Sequence, residues 1–240
     1  VIKSKKAPRH LLSEKQKEKK LRDMDIDYYF KQKFTEKFSN IGFKTFIRDI
    51  LLNKINIFQV VVGEDFKFGK RAEGNTEALI KLSKKYNFKV NILPHLKIKE
   101  NVVSSSYIRN LIKEGKVENV PDYLGSYYEI EGNVIYGESR GRELGFPTAN
   151  LDLTIDYVLP PSGVYAGYVN YKNNKYKAIA NFGYKPTFTG KDYQIEIHIL
   201  DFSENIYEEN ISFEIIKYIR KEKKFDKKSE LIEQINREIL

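Results

Sequence analysis

The sequence contains no cysteine and no tryptophan, one methionine and three histidines among 240 residues. Without cysteine there are no disulfides and no thiol chemistry. No stretch approaches the roughly 20 consecutive apolar residues that a membrane helix needs, and no secretory signal is visible. These absences fit the cytoplasm. What is present is packing material: hydrophobic residues make up 41% and aromatics 13%, with 17 Tyr and 15 Phe, so the chain is a folded protein despite 31% charge. Lys and Arg number 42 against 33 Asp and Glu, a net charge of +9, which makes a surface that attracts anions. Nucleic acid, anionic lipid and small phosphorylated substrates are all compatible with it, and lysine runs such as 15–20 read as solvated faces.

A chain of this length holds two modest domains, and the patterning changes character near its middle. Residues 1–24 are basic and then polar, with a short surface helix expected from Ser13. A short strand is expected over 26–30, then a helix capped by Asn40 with Phe43, Phe46, Ile47, Ile50 and Leu51 at helical spacing. The nearly continuous apolar run 57–62 suits a strand buried on both faces of a parallel sheet. A helix over 76–86, with Leu79, Ile80 and Leu82 as its apolar positions, and a strand over 88–93 complete a strand-helix alternation that argues for an α/β layer. Residues 120–126, with Pro121 and Gly125, mark the joint. Beyond it, 128–136, 164–171, 175–182, 193–200 and 211–218 are short β-rich runs with turns between them, Asn173-Asn174 being a tight hairpin turn. That spacing favours a small antiparallel barrel. Leu231, Ile232, Ile235 and Ile239 form the apolar stripe of a C-terminal helix that packs on it.

Three stretches carry chemistry. In GESRGRELGFPTAN, residues 137–150, Gly137, Gly141 and Gly145 let the backbone bend around an anion while Arg140 and Arg142 supply positive charge. Pro147 fixes the exit. The Thr148 hydroxyl and the Asn150 side-chain carbonyl then form a pair of hard oxygen donors on one face of an extended segment, suited to Mg2+ with phosphates and water. In GEDFKFG, residues 63–69, Asp65 can hold a hydroxyl or a cation-bound phosphate, and Phe66 or Phe68 can stack on a flat ring or tuck into the core. This turn falls beyond a strand's carboxyl end, where open parallel sheets bind ligands. In VSSSYIR, residues 103–109, serines begin a helix whose amides suit an anion, and Arg109 reaches back over them. Within 193–200 strict alternation sets Ile195, Ile197 and Ile199 on one face and Gln194, Glu196 and His198 on the other.

The 137–150 string resembles the G-x-x-x-G-R-x-L-G-F-P-T-A-N signature of riboflavin kinase. The flanking sequence resembles the prokaryotic bifunctional FAD synthetases, in which an FMN adenylyltransferase module precedes the kinase module. GEDFKFG resembles the G-E-D-F-x-F-G element of that first module. VSSSYIR resembles its I-S-S-T-x-I-R triphosphate motif, with Val103 for Ile and Ser106 for Thr. The resemblance implies an incomplete Rossmann-like α/β domain over 1–123, followed by a riboflavin kinase β-barrel over 124–240.

It further implies ATP-dependent phosphorylation of riboflavin to FMN, with Mg2+ held by Thr148 and Asn150. ATP lies against Gly137, Arg140, Gly141, Arg142, Gly145 and Pro147, and Glu196 acts as general base, as in the family's E-x-H-I/L element. Asn181, in an N-x-G-x-x-P-T-like loop, and Arg220, in an R-P-E-K-x-F-D-like loop where Lys221 replaces the proline, lie on the flavin side. Asp65, Phe66, Phe68, Ser105, Ser106 and Arg109 serve the adenylyltransferase. That module's His-x-Gly-His loop has no counterpart around His10, His95 or His198. Adenylylation of FMN to FAD is therefore expected of the complete protein and not of the chain as written. Riboflavin, FMN and ATP are the expected partners, with no nucleic acid and no membrane. A basic nucleic-acid-binding barrel is the alternative.

Overall fold

The computed structural model describes residues 7–136, 148–187 and 190–223, without the side chains of 185–192. The C-terminal helix expected beyond Asp226 lies outside the described residues. The chain divides into two compact units, one of Val1–Ala7 with Ile26–Val103 and the other of Pro8–Asp25 with Ser104–Leu240.

The first unit is an α/β layer. Strands β1 (Gln59–Gly63) and β2 (Lys89–Leu93) are parallel, paired Val61 to Asn91, with helix α4 (Thr76–Tyr86) between them. Asn75 caps α4 by accepting the Ala78 N–H at 2.9 Å, and Asn87 closes it in the left-handed conformation. The expected parallel pair and its crossover helix are thus present, but β1 is not buried on both faces: exposure alternates along it and Val61 is exposed, because β2 is its one strand partner among the described residues. Residues 26–35 form no strand, because an extended segment becomes one only beside a hydrogen-bonded partner. Asn40 does not begin the next helix. It ends the short helix α2 (Glu36–Ser39), which Thr35 caps, and Gly42 precedes α3 (Phe43–Thr45), which widens into a π-helical turn over Phe46–Leu52. That turn directs Ile47 into a core of Phe68, Leu79, Leu82 and Phe88. A two-stranded hairpin, β3 (Lys97–Ile98) and β4 (Asn101–Val102), follows.

The second unit is built on a closed antiparallel barrel. Its strands are β5 (Tyr128–Ile135), β6 (Thr148–Leu153), β7 (Gly163–Tyr171), β8 (Asn174–Thr187), β9 (Gly190–Ile199) and β10 (Asn210–Arg220), in the order β10-β5-β6-β9-β8-β7. Alternation sends Ile130, Val134, Ala149, Leu151, Val169, Ala180, Phe182, Ile195, Ile197, Phe213 and Ile215 inside. The β7–β8 turn is a two-residue loop at Lys172 and Asn173, with φ of 46° and 64°. It falls one residue earlier than the Asn-Asn pair suggested, since this turn needs positive φ at both central positions. Strands approach closely at Gly167, where a Cβ would collide with the Glu214 carbonyl oxygen and the Phe213 ring.

Among the described residues, the α-helices that belong with the barrel are α1 (Glu14–Asp23), α5 (Ser105–Lys113) and α6 (Val120–Leu124). The first is more than a solvated surface helix. Ser13 and Gln16 form a reciprocal capping box and are both buried. Gln16 Nε2 donates to the Glu129 carbonyl at 3.1 Å, Ser13 Oγ donates to Glu131 at 2.8 Å, and the Tyr157 hydroxyl donates to Gln16 Oε1 at 3.2 Å. Burial pushes the Tyr157 phenol up to about 12 and raises those of Tyr128, Tyr165 and Tyr193 as well.

Two outcomes follow for stability. Gly167→Ala should cost about 1–3 kcal/mol by overpacking, whereas Gly125→Ala, in open space at φ 75°, should cost about 1 kcal/mol from its left-handed backbone alone; urea unfolding compares them. A phenol that ionises less readily when folded contributes stability that is fully present below its unfolded pKa of about 10. That stability is lost as pH rises through about 12 for Tyr157, so the melting temperature should fall between those values. A Tyr157→Phe variant should show a shallower fall.

Candidate active site

The barrel's register creates a polar row on its outer surface. Strand β6 pairs with β9 so that Thr148 faces His198, Ala149 faces Ile197 and Asn150 faces Glu196. On the other side of β9, Asn181 of β8 also faces Glu196. Because Ala149, Ile197 and Ala180 point into the core, the neighbours Asn150, Glu196 and Asn181 point outward together, each half-buried. Directly opposed residues place their Cβ atoms about 4.5–5.5 Å apart, so one carboxylate stands between two side-chain amides. Thr148 shares that face, two residues from Asn150. Beyond Asn181 the register passes through the buried Val164 of β7, which faces both Asn181 and Arg220 of β10. The Arg220 Nη1 donates to the Lys221 carbonyl at 3.1 Å.

A cavity of about 410 Å3 opens at the barrel end where β6 begins and β9 finishes. Val134, Ala149, Ile197, Ile199, Phe202 and Ile206 give it apolar walls, and Thr148 and Tyr207 stand at its rim. Tyr136, the residue before the 137–150 string, stacks on Tyr207 with ring centres 4.0 Å apart. Gly137, Arg140, Gly141, Arg142, Gly145 and Pro147 lie outside the described residues. The contribution of residues 202–207 was not legible in the sequence, since nothing in their types or spacing signals a ligand.

The residues singled out in the α/β half occupy different surroundings. Asp65 is exposed in a tight turn beyond the carboxyl end of β1, closed by Phe66 N–H donating to the Gly63 carbonyl at 3.1 Å. Phe68 is buried in the core of the first unit, edge-on to Phe43, and Phe66 stacks over it at 5.4 Å. Ser105 and Ser106 are exposed in the first turn of α5, but the capping side chain is Ser104, whose Oγ accepts the Tyr107 N–H at 3.2 Å. Arg109 Nε donates to the Arg9 carbonyl at 2.8 Å. Asp65, Phe66 and Phe68 lie in the first unit and Ser105, Ser106 and Arg109 in the second.

The donor set suits Mg2+ in one particular way. Among the described residues no cluster of three or more His, Asp or Glu side chains could hold a metal by itself. A threonine hydroxyl and an asparagine carbonyl on one strand face match instead an ion that keeps waters and takes its remaining oxygens from phosphates.

Comparison with known proteins defines the class first. Residues 124–240 match the riboflavin kinase family, and residues 1–107 match the FAD synthetase family. The two matches fall in the order seen in two-module flavin enzymes. The chain is 37% identical over 99% of its length to the bifunctional riboflavin kinase/FMN adenylyltransferase of Buchnera aphidicola from Schizaphis graminum, covering 77% of that protein. It is 35% identical to the enzyme of the same description from Bacillus subtilis, over 97% of this chain and 74% of the relative. A solved structure described as a macrolide-efflux protein from Streptococcus pneumoniae superposes with a TM-score of 0.87 at 30% identity, over 95% of this chain and 74% of that one. The chain belongs to the bifunctional riboflavin kinase/FMN adenylyltransferase family. Among its described residues no helix is long and apolar enough to cross a membrane.

The cap assignment can be checked by substitution. Ser104→Ala should lower stability by about 1 kcal/mol through loss of the N-cap, and Ser105→Ala should stay within about 0.5 kcal/mol of the parent, both read by urea unfolding.

Proposed function

We propose that the barrel unit transfers the γ-phosphoryl group of ATP to the 5′-hydroxyl of riboflavin, giving FMN and ADP. The observation that carries this is the side-by-side placement of Asn150 and Glu196 on paired strands, at the barrel end that holds an apolar cavity. The flat adenine ring fits that cavity, which leaves the phosphates near Thr148. Thr148 and Asn150 would hold Mg2+, which would supply charge neutralisation to the phosphate oxygens. Glu196 accepts the hydrogen of the flavin hydroxyl, orients its oxygen toward the γ-phosphorus, and takes the proton as the new P–O bond forms and the bond to ADP breaks. A loose phosphoryl transition state asks mainly for such positioning and charge compensation, so an ordinary carboxylate suffices.

Asn181, on the far side of Glu196, faces the flavin's ribityl chain, and Arg220 extends that side. FMN adenylylation, the family's second activity, is assigned to the part that matches FAD synthetase, residues 1–107. Small flavin and nucleotide ligands, rather than nucleic acid or a membrane, are the partners of this function.

The test is turnover of riboflavin with Mg-ATP, separating FMN by chromatography. Glu196→Gln and Asn150→Ala should each lower kcat by about 100-fold or more, and chelation of the divalent ion should abolish turnover. Parent-like rates in both variants would contradict the site.

A further inference from the structure

One carboxylate outside the predicted site residues reaches the Glu196 row. Glu222 follows the end of β10, and its Oε1 accepts a hydrogen bond from Asn181 Nδ2 at 3.3 Å. A glycine makes room for it. The three atoms nearest to a Cβ built on Gly183 all belong to the Glu222 carboxylate, and the closest would overlap that Cβ. Gly183 is two residues beyond Asn181 on β8 and shares its face of the barrel. The carboxylate therefore lies down on the strand where a larger side chain would lift it away.

The two ends of a side-chain amide differ chemically, and the torsion that exchanges them is broad and roughly two-fold. Donating one N–H to Glu222 turns the Asn181 nitrogen toward that carboxylate and holds its carbonyl oxygen in the complementary direction. Asn181 is the direct register partner of Glu196, so this choice sets which group lies beside it. We propose that Glu222 is a positioning residue: through Asn181 it orders the flavin-hydroxyl side of the site and leaves the nucleotide side unaffected. The proposal rests on the kinase assignment and deepens it. The cavity assigned to the nucleotide is lined by Val134, Thr148, Ala149, Ile197, Ile199 and residues 202–207, and neither Asn181 nor Glu222 is among them.

The test uses the full chain, with riboflavin and ATP varied separately and with riboflavin binding followed by its own fluorescence in the absence of ATP. Glu222→Ala should raise both the KM and the Kd for riboflavin about tenfold, as expected for one lost orienting bond to a charged acceptor, while the KM for ATP stays within about twofold. Glu222→Gln keeps an acceptor oxygen and should restore most of the loss. Gly183→Ala should reproduce it, and the double variant Gly183→Ala/Glu222→Ala should be no worse than either alone, because both remove the same contact. Parent-like riboflavin KM and Kd in Glu222→Ala, additive losses in the double variant, or an equal rise in the KM for ATP would each overturn the proposal. A parent chain that binds riboflavin without phosphorylating it would overturn the kinase assignment alone, since the binding measurements still decide the role of Glu222.

Discussion

The register of three adjacent strands, β6, β9 and β8, is the constraint on which the site depends. Side chains alternate across a sheet, so a slip of one residue between β6 and β9 would turn Asn150 into the core and bring Ala149 out. That slip is prevented from inside. Ala149, Leu151, Ile195, Ile197, Ala180 and Phe182 are all buried, and any shift would exchange them for amides and a carboxylate that have no partners in an apolar interior. The hydrophobic core thus fixes the polar row on the opposite face.

The same division of labour extends around the barrel. The barrel closes on itself, and the close approach at Gly167 lets β10 and β7 pair. On the surface away from Glu196, the β5 carboxylates Glu129 and Glu131 take hydrogen bonds from Gln16 and Ser13. A helix whose sequence reads as solvated is thereby attached by its cap. Polar contacts, rather than an apolar stripe, hold α1 to this unit.

How much of this was legible in the sequence follows from what kind of signal each feature leaves. Period-2 alternation in 193–200 revealed which face carries Glu196, and the apolar run 57–62 with the helix after it revealed the parallel pair. The oxygen donors Thr148 and Asn150 were visible as residue types on an extended segment. That Glu196 lies beside Asn150 was not visible, because pairing register between strands 46 residues apart is set by the whole barrel and by no local pattern. The same holds for Glu222, which meets Asn181 only because β10 closes the barrel. Local propensity also misled where tertiary partners decide: Asn40 has the chemistry of an N-cap but terminates a helix, and Ser104 caps α5 while its neighbours stand exposed. Phe68 reads equally as a stacking ring or a core residue, and its surroundings of Phe43, Phe46 and Phe66 are those of the core.

The central claim is that one divalent ion with its nucleotide gathers at the outward face of β6 beside Glu196. Paramagnetic broadening of backbone amide signals by Mn2+ with ADP tests it most directly, because the effect falls steeply with distance from the ion. Broadening strongest at Thr148, Ala149, Asn150 and Glu196, and decaying along β6 and β9 away from them, is the predicted result. Broadening centred on the first unit, or spread evenly over the basic surface, would contradict it.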